Sequence, residues 1–372
     1  MLTRSRGRSA VDDTALWNAV GAVEDPELHR GIGELGMLRT ARGDRAGTAR
    51  VEVALTTAGC PLREHLREAV TAAALTVPGV RRAEVAFTTL SARQRMELAQ
   101  RLRGERSTRF GARTLVYAVA SGKGGVGKSS VAANLAVALA RRGKRVGLLD
   151  ADVWGYSVPQ LFGVRRNPVA LNGLMLPLQA HGVRLMSVGF LVADDAPVLW
   201  RGPLLHKALE QFLADVHWGE LDVLLLDLPP GTGDITLSLL ELVPEAALLA
   251  VTTPQPAAQA VASRVGRLAR QQRMPVAGVV ENMSTLVCAG CGEHTAPFGA
   301  GGGQRLADEL GTELLGRIPL DAALREAGDT GLPVVAGDAN APSAVALTEL
   351  AARLPAVRRG LAGLALPLTV VR

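Results

Sequence analysis

Leu115-Val-Tyr-Ala-Val119 runs through Ala120-Ser121 into Gly122-Lys123-Gly124-Gly125-Val126-Gly127-Lys128-Ser129, and this stretch decides the fold. Its first five residues read as a buried strand. Residues 122–129 match G-x-x-x-x-G-K-[ST], and residues 130–141 predict a helix stopped at Gly143. Strand, glycine loop and helix in that order make a phosphate cradle. Gly122, Gly124, Gly125 and Gly127, with Val126 among them, let backbone N–H groups turn inward around phosphate oxygens. The N-terminus of the helix adds a favourable dipole. Lys128 is expected to reach the β- and γ-phosphates, and the Ser129 hydroxyl to ligate Mg²⁺. The ligand expected here is therefore ATP with Mg²⁺.

Outward from the loop, apolar strands at 115–119, 145–149, 221–226, 246–251 and 276–280 alternate with helical stretches. Near-continuous apolar strands separated by helices predict an α/β fold, a P-loop NTPase with a mostly parallel sheet covered by helices on both faces. Ligands in such sheets bind at the carboxyl ends of the strands. Asp150-Ala-Asp152 follows one strand, so two carboxylates stand at its end. Asp227-Leu-Pro-Pro-Gly-Thr-Gly-Asp234 follows another, and an Asp directly after an apolar strand suits a Mg²⁺ held through water. Its prolines and glycines suit a γ-phosphate-dependent switch, with Thr232 and Asp234 as members. Glu281-Asn282-Met283 follows a third, and Asn282 can offer an amide donor and an acceptor to adenine.

Lysine is scarce: four Lys (123, 128, 144, 207) stand against 37 Arg. Two of the four lie in the glycine loop, where a compact ammonium cannot be exchanged for a planar guanidinium. Residues 81–113 hold nine Arg and three Glu, which accounts for the whole formal charge of +6. This strip lacks interleaved aromatics and reads as a solvated helix and linker, so nucleic acid is not the expected partner. No apolar run reaches the roughly 18 residues of a membrane span. The basic start, MLTRSRGRSA, is followed by no apolar stretch of a secretory signal. A cytoplasmic protein with no membrane partner is the expectation. Residues 343–354 predict an apolar-faced helix that Pro355 interrupts.

Of three cysteines, Cys288 and Cys291 form a C-x-x-C pair with small residues between. No second such pair exists, so a closed four-thiolate site needs another molecule. The spacing leaves an iron–sulfur cluster, a zinc ion and a redox disulfide open. His294 is a further candidate ligand. Cys60 precedes a predicted helix and reads as a transient ligand or a small loop residue.

Residues 12–90 predict a small α+β domain. Asp12 or Asp13 caps a first helix, 51–55 alternate like a half-buried strand, 62–76 suit a helix, and 85–87 a last strand. The expected division is a disordered basic tail at 1–11, this domain at 12–90, an Arg-rich linker at 91–113 and the ATPase domain at 114–372.

Lys123 after the first glycine resembles the deviant Walker A loop of the MinD, ParA and nitrogenase-iron-protein group. That resemblance implies a homodimer in which Lys123 crosses to the partner's nucleotide, and an Asp152 that orients the attacking water while Asp150 supports its loop. The full set resembles the Mrp/ApbC family of iron–sulfur cluster carriers: residues 122–129, 150–152, 227–234, 281–283, 288–291 and Phe298-Gly-Ala-Gly-Gly-Gly303. Residues 12–90, with Asp25-Pro-Glu-Leu28 and Thr56–Pro61, resemble the metal–sulfur-cluster-assembly domain that bacterial members carry in front. The resemblance implies ATP hydrolysis, adenine recognition by Asn282, a [4Fe–4S] cluster on Cys288 and Cys291 of two subunits, and apo iron–sulfur proteins as acceptors. Tyr156 stands where the family usually has proline, and Ala289 where proline is frequent. The rival class is a positioning ATPase of the same fold, acting at membrane or DNA.

Overall fold

A computed structural model describes residues 11–57, 62–104, 113–153, 155–191, 202–231, 233–288 and 290–356. They form two compact units.

The smaller unit is built on a three-stranded sheet in the order Leu38–Gly43, Thr48–Leu55, Arg82–Thr89. The first pair is antiparallel and the second parallel. Asp12 caps the helix Asp13–Gly21 by accepting from the N–H groups of Thr14 and Ala15, which satisfies donors that have no intrahelical partner. The helix Arg63–Leu75 buries Leu66, Val70 and Ala74, one stripe at helical spacing.

Two expected boundaries are corrected here. The Arg-rich stretch is not only a linker: Ala92–Gly104 is a helix whose Leu98, Ala99 and Leu102 enter the core of this unit. Arg101 donates to the carbonyl of Leu35 at 2.9 Å. The arginines cover the outer face while a narrow apolar stripe packs. The unit also takes residues 169–177 and 215–219, far along the chain. Val169–Leu171 and Leu174–Leu176 form an antiparallel hairpin, turning at Asn172 and Gly173, both with positive φ, as a two-residue hairpin of this hand requires. Leu171, Leu174 and Leu176 are at most 1% exposed and belong to the same core as Leu16, Val53 and Val70. Met175 N donates to Asp215 O, and His217 N to Met175 O.

The larger unit carries an eight-stranded sheet in the order Leu178–Ala180, Val183–Ser187, Val146–Asp150, Val223–Asp227, Leu115–Ser121, Ala247–Thr252, Val276–Glu281, Leu314–Arg317. Only the first pair is antiparallel. The mostly parallel α/β sheet of the sequence reading is what forms. Its central strands are buried on both faces, which is why they read as unbroken apolar runs. The helix Lys128–Arg141 buries every residue from Val131 to Leu139. Its Val and Leu side chains each contribute about 1.5–3 kcal/mol of burial, so the element that carries the phosphate loop is held firmly. Among the described residues, no helix is long and apolar enough to cross a membrane.

Candidate functional site

The glycine loop is shaped by close approach. A Cβ on Gly122 would lie 2.2 Å from the backbone N of Ala262. Gly127 has φ +77°, and a Cβ there would meet Asn282 Nδ2 at 2.3 Å. Both positions therefore exclude any side chain, for backbone reasons in the first case and for two reasons at once in the second. Ser121 Oγ donates to Lys123 O at 3.0 Å. Gly231 N donates to Ser121 O at 2.8 Å and Leu228 N to Val119 O at 3.0 Å, so the segment after Asp227 is tied to the backbone that opens the phosphate loop.

Under the loop sits a buried charge cluster. Lys128 Nζ is 2.5 Å from Asp227 Oδ1 and 3.1 Å from Ser129 Oγ. Asp227 and Asp150 are register partners on adjacent strands. Burial raises both carboxyls above the ordinary range; Asp150 is pushed up to about 7 by its desolvation and then by the charge of Asp227. Asp150 is saturated with donors: Asp152 N on Oδ1, and Ser157 N, Val158 N and Ser187 Oγ on Oδ2. It fixes the loop in which Asp152 stands. Asp152 itself is half-buried and accepts from Gly155 N at 3.0 Å. The two carboxylates read together from sequence thus have different surroundings, one sealed and one partly open. Ser187, from the neighbouring strand, was invisible in sequence because one serine after an apolar run carries no signal.

Two buried acceptors have no hydrogen-bond partner among the described residues of this cradle: Asp227 Oδ2 and Asn282 Oδ1. Such atoms cost about 1–3 kcal/mol each unless something supplies a donor. The first fits a cation-bound water beside Ser129. The second fits an exocyclic amino group, since Asn282 Nδ2 is already used on Val126 O at 2.8 Å. Lys123 Nζ donates to Gln255 Oε1 at 3.2 Å, a neutral partner that sequence reasoning had not singled out.

Cys288 and Cys291 lie on the tip of a hairpin, Leu286–Val287 paired antiparallel with His294–Thr295. Both thiols are exposed. The N–H groups of Cys291 and Gly290 point at the Cys288 sulfur and lower its pKa, which favours the thiolate that binds metal. Cys288 N donates to Glu293 O and Gly292 N to Cys288 O, closing the turn. Among the described residues no group of three His, Cys, Asp or Glu could hold a metal ion. Two cysteine sulfurs are therefore what this region of one chain presents. Cys60, Thr232, Trp154 and Ala289 lie outside the described residues, as does the side chain of Asp234.

The strand–loop–helix cradle, the buried Lys128–Asp227 pair and the parallel sheet define a P-loop NTPase of the MinD/ParA-like fold. A solved nucleotide-binding protein of Archaeoglobus fulgidus in complex with ADP is 38% identical, with a TM-score of 0.54 over 63% of this chain and 92% of that one. The cell division ATPase MinD of Pyrococcus furiosus is 26% identical, with a TM-score of 0.51 over 64% and 97%. A family model described as NUBPL iron-transfer P-loop NTPase matches residues 113–355, and one described as iron-sulfur cluster assembly protein matches 13–87. Relatives named iron-sulfur cluster carrier protein include one from Mycobacterium tuberculosis, 46% identical over 97% of both chains. Another, from Deinococcus radiodurans, is 45% identical over 91% of this chain and 94% of its own. The chain belongs to the NUBPL-type iron-transfer P-loop NTPase family, with an iron–sulfur cluster assembly domain in front.

Proposed function

We propose that this protein binds and hydrolyses ATP and carries an iron–sulfur cluster between two copies of itself for delivery to apo iron–sulfur proteins. One observation carries the reading: an exposed thiol pair, with one sulfur held toward thiolate by backbone N–H groups and no third metal ligand nearby among the described residues. Half a four-thiolate site is completed by its twin. The relatives' names support the cargo.

ATP binds with its phosphates along residues 122–129 and its adenine amino group on Asn282 Oδ1. Lys128 exchanges Asp227 for the phosphates, which leaves Asp227 free. Ser129 and Asp227 would hold Mg²⁺, which would supply charge neutralisation for the phosphate oxygens. Asp152, braced by Asp150, orients the attacking water. Lys123 leaves Gln255 and completes the nucleotide site of the partner. Each hydrolysis takes one water and ATP to ADP and phosphate.

Anaerobic reconstitution with iron and sulfide tests the cargo. The expected result is about four iron and four sulfide per dimer, lost in the Cys288→Ser, Cys291→Ser double variant. Zinc bound without sulfide, or cluster retained by the double variant, overturns the proposal.

A further inference from the structure

The strand Val276–Glu281 runs on into Asn282 and Met283; these three consecutive residues face different tasks, and two hydrogen-bond paths meet there. Asn282 Nδ2 holds the phosphate-loop carbonyl of Val126, and Asn282 N donates to Thr252 O. Met283, at φ +55°, turns the chain in the left-handed region, and its methyl carbon lies 3.7 Å from the Cβ position of Gly127. A non-glycine residue held there is strained unless its surroundings impose it.

From the same point the cysteine hairpin departs and returns. On the outgoing side Ser284 N and Oγ both donate to Ile318 O, and Leu320 N donates to Thr285 O at 2.7 Å. On the return side, the chain enters the helix Gly302–Leu310, whose Gly303 N donates to Glu281 Oε2 at 2.5 Å. A Cβ on Gly303 would lie 2.6 Å from Glu281 Cβ, and one on Gly302 would lie 2.4 Å from Pro254 O. Glu281 also accepts Ile318 N on its own carbonyl. Its side chain is 2% exposed, with Arg317 Nε at 3.4 Å. Glu281 therefore meets both sides of the hairpin's root, through its carboxylate at Gly303 N on the return side and through its own carbonyl at Ile318 N, whose carbonyl holds Ser284 on the outgoing side, one residue from the side chain that grips the phosphate loop. Burying a carboxylate is costly without such donors.

We propose that Glu281 is a positioning residue that transmits nucleotide occupancy from the phosphate loop to the Cys288–Cys291 hairpin. Filling the cradle moves Val126 and Gly127 against Asn282 and Met283. Glu281 converts that movement into a change at the root of the hairpin, where a small rotation displaces the thiols at its tip. The inference rests on the nucleotide-binding part of the function proposed above and concerns its regulation.

The test measures alkylation rates of Cys288 and Cys291 in the full chain, read by peptide mass spectrometry, with and without MgATP. In wild type the rate is expected to change at least about 5-fold, the lower range of coupled sites. Glu281→Ala is expected to bind ATP with its affinity kept within a few-fold, while the rate ratio falls to about one. Glu281→Gln, which keeps an oxygen acceptor for Gly303 N, is expected to preserve most of the ratio. A merely structural role predicts that the ratio survives in Glu281→Ala, and that result overturns the proposal. Hydrogen exchange on wild type needs no variant to fold: peptides covering 284–287 and 302–305 should respond to MgATP together. No response at either root overturns it equally. Neither measurement uses a cluster, so a failed reconstitution counts against the cargo and leaves this inference standing, and the converse holds.

Discussion

Lys128→Met keeps the length of the side chain and removes its ammonium, and the consequence reaches beyond nucleotide binding. Lys128 Nζ stands 2.5 Å from Asp227 Oδ1, with side chains 6% and 0% exposed. Asp150 faces Asp227 across adjacent strands and is already pushed up to about 7. Without the ammonium, two buried carboxyls share a site that holds no cation of its own. Removing one member of a buried pair costs about 3–5 kcal/mol where the other stays charged. Proton uptake is the alternative, and it fixes the sign of the pH dependence. A carboxyl whose value is raised by folding contributes stability that is complete below its unfolded value and disappears as pH climbs through the folded one. For Asp150 in wild type that loss runs from 3.8 to about 7. In the variant Asp227 loses the interaction that lowers it, so the loss extends through neutral pH. One proton held only by the folded state gives a slope of about 1.4 kcal/mol per pH unit. Nucleotide-free Lys128→Met should therefore lose about 1–3 kcal/mol more than wild type between about pH 6 and pH 8. Calorimetry reads this, with the transition of the larger unit identified in wild type as the one that ATP shifts upward. A variant as stable as wild type at the higher pH, or more stable there than at the lower, refutes the charge argument.

Asn282→Ala removes the acceptor proposed for adenine and strips Val126 O of its donor; at about 1–3 kcal/mol, ATP affinity should fall roughly 5- to 150-fold and the preference over GTP should collapse, measured by competition titration. An unchanged preference would place base recognition elsewhere. Leu174→Ala, in a side chain with no exposure, should destabilise the smaller unit by about 2–5 kcal/mol while ATP binding stays intact. A smaller-unit melting transition that does not move would show that the hairpin is only draped on that core. Gln255→Glu should turn the resting partner of Lys123 into an anion, leave ATP affinity unchanged and raise the protein concentration needed for half-maximal turnover about 2- to 10-fold, the equivalent of roughly 0.5–1.4 kcal/mol. Turnover that ignores protein concentration in both forms would remove the role of Lys123 in the partner's site.

The parallel sheet was legible because its strands are buried on both faces and contain little but Val, Leu, Ala and Gly. The cradle was legible because backbone phosphate binding restricts residue types at fixed spacing. The Asp25 turn, by contrast, shows how a local motif can hide a tertiary fact: its carboxylate caps Glu27 N and Leu28 N, yet burial raises its pKa. Leu171, Leu174 and Leu176 are apolar, but apolar residues do not say which core receives them. That is why a single cut near residue 113 misses the hairpin that the smaller unit takes back. Glu281 carries no role that sequence alone can assign, since nothing before folding places it beside Gly303. Tyr156 shows the same limit. A tyrosine in place of a proline reads as a looser loop, but its ring lies so close to Gly189 that a Cβ there would meet Cδ2 at 2.3 Å.

The two lysines of the loop differ in what they must leave behind, and this orders their tasks. Lys128 is paired with an anion that is fully buried, so withdrawing it exposes that charge to an apolar surrounding at a cost of several kcal/mol. Only another dense anion, arriving as a phosphate with its own cation, makes the exchange favourable; Lys128 is thus committed when nucleotide enters. Lys123 gives up one hydrogen bond to a neutral amide, a net loss of about 1 kcal/mol, and Gln255 Oε1 keeps the Thr253 hydroxyl, which already donates to it at 3.4 Å. A cation held that loosely is free to respond to a second, weaker event, which in the proposed function is the approach of another subunit's nucleotide. In the proposed function, binding and dimerisation would therefore be separable steps driven by different lysines. A cluster shared between two hairpins, as proposed, would inherit that order, since the thiols of two subunits would meet only after the second lysine has somewhere to go.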